Sequence, residues 1–81
     1  MSEIEIRLYA TLRGYRPELK VGEPLFLNVD EGTTAKRVLE EVLGIPAKVI
    51  KTVFVNGIYR DLDHVLADGD RVGIFPPVGG G

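Results

Sequence analysis

The sequence predicts a two-layer α+β domain in which one amphipathic helix covers the apolar face of a small sheet. Three observations carry this expectation. Several short segments alternate apolar and polar residues, the period of a half-buried strand. A single segment repeats its apolar residues at helical spacing. An Asn56-Gly57 pair stands between two apolar runs, a strong hairpin signal because a type I′ turn needs positive φ at both positions.

The elements follow in order. Residues 3–10 read as the first strand, with Ile4, Ile6 and Leu8 on one face and Glu3, Glu5, Arg7 and Tyr9 on the other. Residues 11–23 contain Gly14, Pro17 and Gly22 and read as a loop. Residues 25–29 alternate again, with Leu25, Leu27 and Val29 facing in. Asp30 to Thr34 form a helix entry, where Thr33 or Thr34 can cap and the acids sit near the positive end of the dipole. Ala35, Val38, Leu39 and Val42 then make one buried stripe, with Lys36, Arg37, Glu40 and Glu41 on the other side. Gly44 suits the C-terminal cap and Pro46 prevents continuation. A short extra turn fits residues 47–51, a third strand Thr52 to Val55, and a fourth Ile58 to Arg60. After the Asp68-Gly69-Asp70 turn, Arg71 to Phe75 form the last strand with Val72 and Ile74 inward, and Pro76-Pro77 stop it. The order is β-β-α-β-β-β, one helix for one apolar sheet face.

The bulk composition narrows the function. The 81 residues suffice for one domain, expected over residues 1–75, with residues 76–81 as a flexible tail. A chain of this size buries only roughly 60% of its unfolded surface, leaving little interior for a self-sufficient catalytic pocket. The net charge of −2 provides no basic stripe, so nucleic acid is not the expected partner. No apolar run approaches the ~20 residues of a membrane span, and no signal peptide opens the chain. The chain has no cysteine, which removes disulfides, zinc thiolates and thiolate nucleophiles together and makes the cytoplasm the expected compartment. If the chain carries sulfur, no side-chain thiol holds it.

The tail is the first candidate for chemistry. Pro76-Pro77 favour an extended, semi-rigid spacer, and Val78-Gly79-Gly80-Gly81 follow. Extended, four residues reach at most roughly 14 Å. Without side chains the glycines can thread a narrow channel. A terminal carboxyl has a reference pKa of about 3.3–3.7, so the Gly81 carboxylate is ionised at neutral pH and can act as a nucleophile. Glycine ends also fray without function; this one differs in following directly on a rigid spacer at the end of the final strand.

The second candidate is aromatic. Alternation puts Tyr9 and Phe75 on the polar faces of their strands, while Tyr59 lies in a short strand whose register alternation leaves open. If all three share the face opposite the helix, they form an exposed aromatic patch beside the tail, the kind of surface that marks a partner site. Other features read as structural. His64 has no partner at metal-ligand spacing, no metal site is expected, and Asp61, Asp63, Asp68 and Asp70 read as solvated turn formers.

The run from Asp63 to Val72, followed by Phe75-Pro76-Pro77-Val78-Gly79-Gly80-Gly81, is similar to the C-terminal signature of the molybdopterin synthase small subunit family. That signature is an Asp-Gly-Asp turn, a strand, then Phe-Pro-Pro-Val, a variable residue and Gly-Gly. Gly79 fills the variable position here. The stretch from Leu8-Tyr9-Ala10 to Leu12-Arg13 and the Val55-Asn56 pair also resemble the family, so the likeness covers nearly the whole chain, more loosely across residues 14–50.

The resemblance implies a ubiquitin-like β-grasp fold and a sulfur carrier that is not itself an enzyme. It binds no cofactor. A ubiquitin-activating-type adenylating enzyme uses ATP and Mg²⁺ to convert the Gly81 carboxylate to an acyl-adenylate, and a sulfur donor system replaces AMP to leave a thiocarboxylate. Inside the molybdopterin synthase large subunit the sulfur passes to a pterin precursor of the molybdenum cofactor. The resemblance makes Gly80 and Gly81 the reactive pair. It assigns Tyr9, Tyr59 and Phe75, with Pro76, Pro77, Val78 and Gly79, to the partner interface. Three alternatives stay open: a sulfur carrier for thiamine, tRNA thiolation, a tungsten cofactor or amino-acid synthesis; a protein modifier joined to lysines; and a plain interaction module with an incidental tail.

Overall fold

In the computed structural model, which describes residues 1–77, the alternating segments of the sequence are strands. They are β1 (Ser2–Leu8), β2 (Leu25–Val29), β3 (Thr52–Val55), β4 (Ile58–Arg60) and β5 (Arg71–Phe75). Their order across the sheet is β2-β1-β5-β3-β4. β1 and β5 run parallel, Glu5 opposite Arg71 and Leu8 opposite Ile74. The other pairs are antiparallel. The last strand is therefore central, hydrogen-bonded to β1 on one side and β3 on the other. This sheet with one crossing helix is the β-grasp arrangement.

The register puts Ile4, Ile6, Leu8, Val53, Val55, Val72 and Ile74 on one face, where they are buried with Ala35, Val38, Leu39 and Leu43 of the helical segment. The Asn56-Gly57 turn has φ values of 54° and 81°, as a type I′ hairpin requires. It brings β4 back onto β3 with Tyr59 opposite Phe54.

The helical segment begins as expected. The Thr34 hydroxyl accepts a hydrogen bond from the Arg37 amide at 3.2 Å. The Ala35 and Lys36 amides donate to the carbonyls of His64 and Leu62 at 3.0 and 2.9 Å. The first three free amides are thus satisfied by one side chain and by the loop that follows β4.

The stripe departs from expectation at Val42. The α-helix α1 (Ala35–Arg37) runs on as a wide π-helical stretch, Val38–Val42, and the Leu43 amide donates to the Val38 carbonyl five residues back. One extra residue per turn rotates the following side chains, so Leu43 is buried (3% exposed) where Val42 was expected. Val42 is 46% exposed, and its carbonyl accepts from the Arg16 guanidinium at 3.3 Å. Gly44, at φ 70°, ends the segment as expected, and the Ile45 amide closes back on the Leu39 carbonyl at 2.8 Å.

The region read as loop over residues 11–23 also holds more structure than expected. Ala10–Tyr15 form a 3₁₀ helix that begins with the Leu12 amide donating to the Tyr9 carbonyl. This carries Leu12 fully into the core. Gly14 and Pro17 hide it in the sequence because two turns of 3₁₀ helix are too short to show a period. β1 accordingly ends at Leu8, two residues earlier than expected, and Ala10 takes φ 53° to redirect the chain.

The π-helical register predicts an asymmetry between neighbours. Leu43→Ala is expected to cost roughly 2–5 kcal/mol of unfolding free energy, and Val42→Ala no more than about 0.5 kcal/mol. Denaturant unfolding of both variants measures this; equal losses would contradict the register.

Candidate functional site

The sheet face opposite the helix carries a continuous row of aromatic rings. Tyr9 and Phe75 stack with centroids 4.3 Å apart and planes within 3°. Phe75 meets Phe54 edge-on at 5.7 Å, and Phe54 meets Tyr59 edge-on at 6.1 Å. The row runs from the residue that follows β1 across β5, β3 and β4 in spatial order. Such offset and T-shaped contacts suit the quadrupole of each ring and hold the rings in fixed relation. Tyr59 at the sheet edge is 60% exposed, and the other three rings are half-buried.

The structure thus brings together the three aromatic residues singled out from the sequence, but only through a fourth. Phe54 links Phe75 to Tyr59 and was not among the expected site residues. The signal for it was available: Val53 and Val55 face the core, so alternation turns Phe54 outward onto the face of Phe75.

The strand ends fix where the tail leaves. The Tyr9 amide donates to the Ile74 carbonyl at 3.2 Å, and the Lys51 amide donates to the Phe75 carbonyl at 2.9 Å. β5 is therefore held from both sides up to its last residue, and Pro76 follows at once. A groove of about 560 Å³ opens there, lined by Ala10, Thr11, Lys51, Thr52, Phe54, Phe75, Pro76 and Pro77. It is mostly apolar, with Lys51 the one charged lining residue among the described residues. The 3₁₀ helix missed by the sequence reading supplies one wall, Ala10 and Thr11. The remaining expected site residues, Val78, Gly79, Gly80 and Gly81, lie outside the described residues.

Farther from the tail, Glu5 faces its register partner Arg71 and pairs at 2.9 Å with Arg7, which stands level with Gly73 and Phe54. Polar charge thus borders the row on the side away from the tail.

The Asp-Gly-Asp motif is structural, and the expectation that its acids are solvated is corrected for Asp70. Asp70 is only 9% exposed. Its carboxylate accepts from Asn56 Nδ2 at 2.8 Å and from the Ala67 amide at 2.7 Å. Asn56 in turn accepts from the Arg71 amide at 3.0 Å, and the Asp68 carboxylate accepts from the Glu3 amide at 2.7 Å. The motif clamps the hairpin and β1 to the start of β5. Burial follows because a carboxylate with this many donors no longer needs water. Among the described residues, no cluster of three His, Cys, Asp or Glu could hold a metal ion, and no helix is long and apolar enough to cross a membrane.

A mixed sheet with parallel first and last strands, one covering helical segment and a chain end leaving the central strand define a ubiquitin-like protein. The chain belongs to the Mut7-C ubiquitin family, whose model matches residues 1–79. Among solved structures it is similar to the small archaeal modifier SAMP1 of Haloferax volcanii, with 25% identity, 99% of this chain and 100% of that one covered, and a TM-score of 0.74. It is likewise similar to a putative molybdopterin converting factor subunit 1 from Pyrococcus furiosus, with 25% identity, 96% and 100% coverage, and a TM-score of 0.72. A chain from the complex of subunits 1 and 2 of the molybdopterin-converting factor of Helicobacter pylori shares the fold, with 24% identity, 98% and 99% coverage, and a TM-score of 0.56. No curated protein matches the chain.

Removing the clamp should affect stability and leave the aromatic row in place. Asp70→Ala is expected to cost about 3 kcal/mol, the loss of two charge-assisted hydrogen bonds. Chemical denaturation measures it, and a loss under about 1 kcal/mol would show that the carboxylate contributes little.

Proposed function

We propose that this chain is a sulfur carrier for molybdenum cofactor biosynthesis, with Gly81 as the reactive residue. The observation that carries the reading is convergence. The aromatic row and the apolar groove meet at Pro76-Pro77, where the chain leaves the central strand toward Gly81. A docking face at the root of a slender tail suits a protein that offers its terminus to another protein's active site. The likeness to a molybdopterin converting factor subunit 1 supports this pathway over other sulfur-transfer routes.

The chemistry belongs to the partners, and this chain supplies the reacting atom. The Gly81 carboxylate attacks the α-phosphorus of ATP on an adenylating enzyme of the ubiquitin-activating type, with Mg²⁺ balancing the phosphate charge, and pyrophosphate leaves. A carboxylate is a poor electrophile, and the acyl-adenylate gives it a good leaving group. Sulfur from the donor system adds to the acyl carbon and AMP departs, leaving a thiocarboxylate. The molybdopterin synthase large subunit then receives Val78-Gly79-Gly80-Gly81 and passes the sulfur to the pterin precursor. A chain without cysteine has no thiol to intercept the activated acyl group. Tyr9, Phe54, Tyr59 and Phe75 form the docking face, and Gly80 and Gly81 keep the tail thin enough for a channel. The reading requires a free carboxyl on Gly81.

The test is reconstitution with the adenylating enzyme of the same host, ATP, Mg²⁺ and a sulfur source. Intact mass should rise by the difference between one sulfur and one oxygen. Deleting Gly81 should abolish the gain and leave the melting temperature unchanged. Phe54→Ala should weaken binding to the adenylating enzyme roughly tenfold or more, the loss expected of a central aromatic anchor. An unchanged mass in this matched system would sink the carrier reading, and unchanged affinity would remove Phe54 from the interface.

The likeness to SAMP1 favours a second reading, a protein modifier that joins Gly81 to lysines of other proteins. Higher-mass conjugates on a denaturing gel, absent when Gly81 is deleted, would support it.

A further inference from the structure

A glycine at the centre of the middle strand is unfavourable, because it loses more backbone entropy than other residues and packs no side chain. Gly73 occupies that position. Its register partners are Arg7 on β1 and Phe54 on β3, so it lies directly on the open face, in line with the aromatic row. It takes no special backbone angle, so conformation does not explain it. A Cβ built on Gly73 would sit 3.4 Å from Tyr9 Cε2 and 3.7 Å from Phe75 Cε2. Both stacked rings lie over the bare backbone of Gly73, close enough that a single carbon there would touch them.

We propose that Gly73 is the positioning residue of the docking face: it lets Tyr9 and Phe75 lie down over β5 as one stacked unit, and so sets the shape that a partner meets. The geometry grades substitutions by size. A single methyl lands at ordinary van der Waals distance from both rings. A β-branched side chain adds two carbons to a Cβ already in contact with both rings, and is expected to lift them. Lifting Phe75 also breaks its edge contact with Phe54 and changes the groove, since Phe54 and Phe75 both wall it. One position therefore controls the row and the groove together. The link to partner binding rests on the sulfur-carrier reading, whereas the ring geometry does not.

Two measurements on the full chain separate these claims. Aromatic proton NMR reads the stack directly, because Tyr9 ring protons lying over Phe75 are shifted upfield by its ring current. Gly73→Val should move the Tyr9 signals toward unstacked values, and Gly73→Ala should keep them near wild type. Titration against the host's adenylating enzyme should show roughly tenfold weaker binding for Gly73→Val, as for loss of an anchor, and near-native binding for Gly73→Ala. Thermal melting serves as the control: a purely structural glycine would lose stability and affinity in parallel, while a positioning role predicts lost affinity at a retained melting temperature. Unmoved Tyr9 signals in Gly73→Val would overturn the proposal. Moved signals with native affinity would overturn its link to docking. If wild-type protein binds no adenylating enzyme but the Gly73→Val signals move, the carrier reading falls and the geometric role of Gly73 stands.

Discussion

The parallel pairing of β1 with β5 is the constraint on which the rest depends. It draws the last strand into the middle of the sheet, between β1 and β3, and holds it there by hydrogen bonds to Phe75. A chain end leaving an edge strand would fray with that edge. This one leaves from the central strand, paired on both sides, so the geometry at its root is defined up to Pro76. The Asp68-Gly69-Asp70 clamp secures the opposite end of β5, where Asn56, Ala67 and Glu3 all bond to the turn. Both ends of the central strand are fixed by groups that take no direct part in the proposed chemistry.

That support makes the open face usable. A two-layer domain with one helical segment covers a single sheet face, and the other must be polar or meet a partner. Here the division runs along the strands. Glu5 and Arg71 occupy the level farthest from the tail, Arg7 stands in one cross-strand row with Gly73, Phe54 and Tyr59, and Tyr9 and Phe75 occupy the level nearest the tail. Four rings held by mutual contacts lose little freedom on docking, which favours binding through a rigid surface. On the proposed reading the carrier needs only a narrow, side-chain-free end to deliver its reacting atom, and the fold supplies a rigid face to aim it.

Much of this was legible in the sequence because strands and turns are local. Alternation located β1, β2 and β5, and the turn at Asn56-Gly57 placed β3 and β4 on either side of it. Asn56-Gly57 marked the hairpin, Gly44 the helix end, and parity turned Tyr9 and Phe75 outward. What escaped was set by tertiary packing. Nothing in the spacing of Val38 and Val42 announces an i→i−5 hydrogen bond, so periodicity carries the stripe to Val42 where the structure buries Leu43. The 3₁₀ helix that buries Leu12 is too short to show a period. Asp70 looked like any turn aspartate, since its donors come from Asn56 and Ala67 once the hairpin has folded. Phe54 is different. It obeyed the same alternation as its neighbours and was overlooked only because it stood within an apolar run.

The central claim is that Gly81 carries sulfur as a thiocarboxylate. The most direct test is the intact mass of the protein isolated from its native host under conditions that preserve thioacids, with fragmentation to locate any change. The account predicts a population in which one oxygen of the terminal carboxyl is replaced by sulfur, localised to Gly81. A terminus found only as the free carboxylate, while the host is actively making the cofactor, would contradict it.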